Sequence, residues 1–150
     1  MTKRLSSLAE LAKVLSQNSK KAVAQAEAGL AEAARLIQAD AQRRVSGEGG
    51  GGDVSPDWAP LAPATEARKA ALGYDSDAPL AGSGALRDSI VVEQDGAAVK
   101  VGSTLDVAAY QEFGTATIVP RPFLGPALLA NQEQIVKLVG ERAVAALTGV

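Results

Sequence analysis

Cysteine and histidine are both absent from the 150 residues. Without cysteine there are no disulfides, thiolate nucleophiles or sulfur-ligated metals. Without histidine the chain lacks the commonest general base near neutral pH and the commonest metal ligand, which removes Ser–His–Asp and Cys–His mechanisms. Only carboxylate, lysine or tyrosine chemistry stays open. Aromatic residues make up 3% of the chain, so a core must be aliphatic and base-stacking platforms for single-stranded nucleic acid are missing. No apolar run reaches the roughly 18 residues of a membrane span. The opening Met1-Thr2-Lys3-Arg4-Leu5 is followed by charged and polar residues, so no signal-peptide core is expected. Neither sign of charge dominates: 15 basic residues stand against 17 acidic ones, and a net charge of −2 does not indicate a broad grip on nucleic acid. The length suits one domain, expected to span 1–150.

What the chain does have is helix-forming composition at both ends. From about Leu5 to Val45, Ala, Leu, Glu, Gln, Lys and Arg dominate. Ala26, Leu30, Ala33, Ile37, Ala41 and Val45 recur at spacings of three and four and so share one face. Leu5, Leu8, Leu11 or Ala12, and Leu15 form an earlier stripe, and Ser16-Gln17-Asn18-Ser19 between the two predicts a kink or break. Unbroken, this helix would run about 60 Å at 1.5 Å per residue, long for one small domain, so one end should project or pack on another subunit. Gly47 and the run Gly49 to Gly52 end it. That run lacks the Lys-Ser/Thr of a phosphate-binding loop and follows a helix rather than a strand. The stretch 46–84, rich in Gly, Pro, Ser and Asp, reads as a long loop with one helical hint from Thr65, as N-cap, to Leu72, stopped by Gly73. Removing Gly49 to Gly73 is expected to leave the rest folded.

A hairpin follows. With Asp95-Gly96 taken as a type I′ turn, Val92 faces Val99 and Ile90 faces Val101 on one apolar side, leaving Val91, Glu93, Ala98 and Lys100 on the other. Leu105 to Phe113 predicts a short helix broken at Gly114, and Thr115 to Val119 a third strand. Pro120 and Pro122 hold Arg121 in an extended corner. One further helix is expected from about Phe123 to Leu147, with Pro126 in its first turn and Leu128, Ile135, Val139 and Ala143 along one face. The fold class expected is α+β: a long N-terminal helix and a C-terminal helix packed on one face of a small antiparallel sheet of about three or four strands, with a long loop between the first helix and the sheet.

Ala109-Tyr110-Gln111-Glu112-Phe113-Gly114-Thr115 and then Pro120-Arg121-Pro122-Phe123-Leu124-Gly125-Pro126-Ala127-Leu128 carry a resemblance. They are similar to the signature of phage tail-completion and head–tail joining proteins, such as the lambda minor tail protein Z and the Mu-type virion morphogenesis protein. Trp58-Ala59-Pro60-Leu61 with Thr65 and Lys69, and Pro79 to Ile90, resemble further patches of the Mu-type proteins. The run Gly49 to Gly52 has no counterpart there. The resemblance implies a subunit of a closed ring, commonly six-fold, in the virion at the head-proximal end of the tail or in the neck. It caps the tail tube or seats the tail on the head connector or stopper, with DNA only as passing cargo, no membrane, no cofactor and no metal. It implies no catalytic residue, and a docking role for the loop 46–84. The candidate subunit or ring contacts are Trp58, Pro60, Leu61, Tyr110, Glu112, Phe113, Gly114, Thr115, Arg121, Pro122 and Phe123.

Each of these has a plainer reading. Phe113 and Phe123, the only phenylalanines, suit core anchors as well as interface residues. Gly114 suits a sharp turn. Glu112 and Arg121 can pair within a subunit or across a seam, an exposed pair contributing only about 0–1 kcal/mol. Trp58, the single tryptophan, either folds back on its own domain or anchors in an adjacent ring. Arg87 and Asp88 suit a solvated turn. Lys20, Lys21, Arg43 and Arg44 are expected on the solvated face of the long helix, where a weak contact with DNA is the functional alternative. Two other classes compete with the ring subunit: an adaptor pairing through the long helix at Leu30 and Ile37, and a carboxylate hydrolase built on Asp106, Glu112 and Tyr110.

Overall fold

The computed structural model describes residues 7–47 and 58–148. The chain is α+β, and its first helix, α1, spans Leu8–Val45. It starts one residue after Ser7, whose hydroxyl accepts the Glu10 backbone N–H at 3.1 Å, one half of a capping box. The break expected at Ser16 to Ser19 does not occur. The Ser19 hydroxyl donates to the Ser16 carbonyl at 2.9 Å, so it bonds inside the helix instead of competing to end it. Gly47 closes the helix, while the run Gly49 to Gly52 lies outside the described residues.

Two compact units share α1. In the first, Met1–Ala33 with Glu133–Val150, the C-terminal helix α6, Gln132–Thr148, packs on α1. Gly29 permits the close approach: a methyl added there would stand 3.1 Å from Val139 Cα and 3.2 Å from the Leu138 carbonyl. Arg142 pairs with Glu32 beside it. The expected stripe of Ile135, Val139 and Ala143 is half-buried, whereas Leu8, Leu11 and Leu15 are 85%, 37% and 59% exposed.

The second unit, Ala34–Gln132, holds the sheet and the sequence motifs. Its elements are α2 (Pro63–Ala71), α3 (Ala85–Asp88), β1 (Ile90–Asp95), β2 (Ala98–Ser103), α4 (Asp106–Phe113) and α5 (Leu124–Ala130). The sheet has two antiparallel strands among the described residues, fewer than expected. Residues 115–118 form a turn instead: the Thr115 hydroxyl accepts the N–H groups of Thr117 and Ile118, and the Thr115 N–H donates to the Ile118 carbonyl. A threonine side chain satisfying its own backbone outcompetes the β-branched preference for strand.

The hairpin pairs two residues further along than expected, with Val92 opposite Val101 and Ile90 opposite Ser103. Its loop is Gly96-Ala97. Gly96 has φ of +60° and no described non-glycine residue has positive φ, so the dihedrals fit a II′ turn with glycine first and spare Asp95 the left-handed region. A slip of two preserves sidedness, so Ile90, Val92, Val99 and Val101 still share one face. That face meets the core: Ala41, Val45, Ile90, Ala108, Phe123 and Ala127 are buried together, with Ile37, Trp58, Leu86, Val101 and Leu124 packed around them. The Gln38 amide docks α1 on β1, donating to the Ile90 carbonyl at 2.7 Å.

The expected single C-terminal helix is two. At Asn131 the side-chain amide donates to the Ala127 carbonyl and to Asp40, and the chain leaves helical geometry there. The portion that joins the sheet's core is α5. Leu128, placed on the apolar stripe by sequence, is half exposed on α5. Asp40 also binds Arg43 and Arg44, so Arg44 is buried rather than on the solvated face, while Lys20, Lys21 and Arg43 are exposed.

Within 58–84 most residues are exposed, but the chain is tied down at Trp58, Lys69 and Ala78. Pro63 starts α2 two residues before the expected Thr65 cap, its fixed φ suiting the first turn, and Gly73 ends it as expected. The Lys69 ammonium donates to the carbonyls of Ala78 and Ala81, each at 2.6 Å, and so ties the following segment to α2. Burial pushes this ammonium below its ordinary value and Asp75 pulls it partly back. With Trp58 and Lys69 both built in, a deletion reaching Gly73 removes part of the folded unit, contrary to the expectation from composition.

Candidate subunit interface

The segment from Tyr110 to Phe123 is a clasp closed by backbone hydrogen bonds. Glu112 sits in the last turn of α4. Gly114 ends that helix with φ of +74° and ψ of 174°, and a methyl added there would lie 2.9 Å from both the Ile118 carbonyl and Pro120 Cδ. Only glycine meets both demands. The chain then doubles back, and the Arg121 N–H donates to the Gln111 carbonyl at 2.6 Å.

This return places the start of α5 beside Glu112. The helix has no side-chain cap of its own, since Phe123 stands at its N-cap position. The Glu112 carboxylate fills that role from α4. It accepts the N–H groups of Phe123, Leu124 and Gly125 at 2.7, 2.9 and 2.8 Å. Pro126 has no N–H, so these are all three of the donors that this helix start leaves unsatisfied; each bond is charge-assisted, and the carboxylate also faces the positive end of the helix.

Glu112 and Arg121 therefore do not pair with each other. Arg121 is 8% exposed and its guanidinium donates to the carbonyls of Ala59 at 2.9 Å and Pro60 at 3.2 Å. The Trp58 indole N–H donates to the Pro122 carbonyl at 3.1 Å. Trp58 is thus folded onto its own unit, Leu61 is half-buried and Pro60 is exposed. Arg87 and Asp88 pair with each other on the surface.

The two phenylalanines separate completely. Phe123 is fully buried and Phe113 is 81% exposed. Tyr110 is also exposed, as is Thr115 in its turn. Phe113 stands at the rim of an open groove of about 630 Å³ between β2, α4 and α5. Val99, Val101, Leu105, Leu124 and Leu128 line it, with Ile37 of α1 at its base. Among the described residues its only charged lining residues are Asp106 and Glu112.

Chemically the groove offers apolar contact. The Glu112 carboxylate is held by three N–H groups, and neither Tyr110 nor Asp106 is bonded to it. Among the described residues no cluster of acidic side chains is arranged to hold a metal ion, and no helix is long and apolar enough to cross a membrane. Of the eleven candidates, the structure brings Trp58, Pro60, Glu112, Gly114, Arg121, Pro122 and Phe123 together as the clasp, turns Tyr110, Phe113 and Thr115 outward, and leaves Leu61 half-buried. Sequence reading missed the groove, because Val99 and Val101 sit on the hairpin's apolar side and give no sign that α4 and α5 leave them partly uncovered. It also missed Asp40, although the Asp40–Arg44 spacing of four on a helix was a readable signal.

The chain matches the model of the HK97-gp10-like family, described as "Bacteriophage HK97-gp10, putative tail-component", over residues 8–114. The match begins at the first residue of α1 and ends at the glycine after α4. It leaves Pro120 to Leu128 outside. No curated protein and no solved structure matches the chain.

Proposed function

This chain belongs to the HK97-gp10-like family of bacteriophage tail components, and on that premise we propose that it is one subunit, 1–150, of a homo-oligomeric ring. The ring, six-fold, sits at the head-proximal end of the tail, completing or terminating the tail tube and joining it to the head. One observation carries the reading. The charged residues of the motif are spent on backbone groups of their own chain, and the same clasp leaves Phe113 81% exposed at the rim of an apolar groove. A reaction centre needs free, poised polar groups, whereas an assembly surface needs exposed apolar ones on a rigid support. The tail tube protein on one side and a head connector or stopper on the other are the proposed neighbours. The outward residues of the 46–84 stretch, such as Leu72 and Tyr74, are proposed to meet one of them. The proposed place is the virion, with DNA passing through as cargo and no cofactor.

Electron microscopy of particles, with the subunit located by a density tag, tests this. Removing the gene product should give tails of uncontrolled length if the ring terminates the tube, or finished tails beside unattached heads if it sits in the neck. Intact, joined particles lacking the subunit would defeat the proposal.

A further inference from the structure

The second unit presents an open apolar groove, and the first presents an exposed apolar stripe. On α1, Leu8, Leu11 and Leu15 lie on one face at spacings of three and four and are 85%, 37% and 59% exposed. In a family of structural tail components such a stripe calls for a partner. Residues 8–21 carry three lysines, Lys13, Lys20 and Lys21, against the single carboxylate of Glu10. The groove has the opposite character: an apolar floor, two carboxylates in Asp106 and Glu112, and no basic residue lining it. Stripe and groove are therefore both apolar, and the helix segment and the groove lining carry opposite net charge.

We propose that the Leu8, Leu11 and Leu15 face of one copy docks in the groove of the next copy, under Phe113, and that this is the contact that builds the ring. The inference rests on the ring reading above and specifies its interface. Each copy gives one surface and accepts at another, so the contact is heterologous and repeats head to tail until the rotation closes. The leucines supply the buried area. The lysines, on the back of the helix, bias the approach towards the acidic groove and make assembly faster at low salt.

The absence of native cysteine makes the test direct. The chain carrying Leu15→Cys and Leu128→Cys, both exposed positions, is assembled into tails in its bacterial host, and the purified tails are oxidised. A ladder of covalent oligomers is expected on non-reducing gels, and each single-cysteine chain should give at most a dimer. In a parallel arm, Leu8→Glu with Leu15→Glu breaks the stripe and Phe113→Glu with Leu128→Glu breaks the groove. Either chain alone should fail to assemble, and their mixture should stop at a one-to-one pair, because one intact stripe then meets one intact groove. Tails that contain the subunit but give no ladder overturn the interface and leave the ring reading standing. A cross-link confined to single chains also overturns it, since the stripe would then fill its own groove. Tails that lack the subunit overturn both.

Discussion

Removing the carboxylate of Glu112 should loosen the whole clasp, because one side chain serves three backbone donors at the start of α5. The bonds from Phe123 and Leu124 are partly buried and the one from Gly125 is exposed, so water replaces the third readily and the first two poorly. Loss of an N-cap costs about 1 kcal/mol, a charged hydrogen bond is worth about 1.5–3 kcal/mol, and the helix dipole adds up to about 1 kcal/mol. These overlap on one carboxylate, so Glu112→Ala is expected to cost about 2–4 kcal/mol. For a chain of this size that is a fall in melting temperature on the order of 10 °C. Glu112→Gln keeps one acceptor oxygen and loses the charge, and should fall about midway. Urea unfolding followed by circular dichroism measures both. The result that refutes the reasoning is Glu112→Ala within about 0.5 kcal/mol of the parent chain, the range of an ordinary surface change. The N–H groups would then be served equally well by water, and the clasp would owe its form to Arg121 and Trp58.

Phe123→Ala, at a fully buried position, should cost about 3–5 kcal/mol in the same urea assay. Phe113→Ala should change stability by less than about 0.5 kcal/mol while reducing assembly into particles; equal effects on folding would show that Phe113 is part of the core. Gly114→Ala should be destabilising by more than about 1 kcal/mol because it meets both a positive φ and two contacts at 2.9 Å, whereas Gly73→Ala, with positive φ but nothing within 4 Å, should lose less. Lys69 has its value lowered by burial from 10.5, so in the alkaline range below 10.5 the native chain holds fewer protons there than the unfolded chain, and stability should rise with pH through that window. Lys69→Met should flatten this slope in urea titrations at stepped pH, and parallel curves would count against it.

Where order is local, the sequence was sufficient. The α+β class, the long Ala-rich helix, the glycine stops at Gly47 and Gly73, and the two faces of the hairpin all follow from periodicity and from residues acting on their nearest neighbours. The family, too, was legible in short separate motifs between Trp58 and Leu128, of which those up to Gly114 fall inside the matched residues. Even the hairpin error was benign, since moving the turn from Asp95-Gly96 to Gly96-Ala97 shifts partners by two and keeps every side chain on its face.

Tertiary structure decided whatever depends on which groups compete for one partner. Glu112 and Arg121 are opposite in charge and close in sequence, yet the unsatisfied N–H groups of α5 and the carbonyls of Ala59 and Pro60 claim them first. Phe113 and Phe123 are the same residue in the same motif, and only the packing of α4 against α5 buries one and exposes the other. The segment after Trp58 has loop composition but is held by Lys69, through carbonyls 9 and 12 residues on, and by Arg121, whose carbonyl partners lie 61 and 62 residues away. No local pattern encodes such choices, because a buried polar group takes the partner that the assembled fold brings within reach.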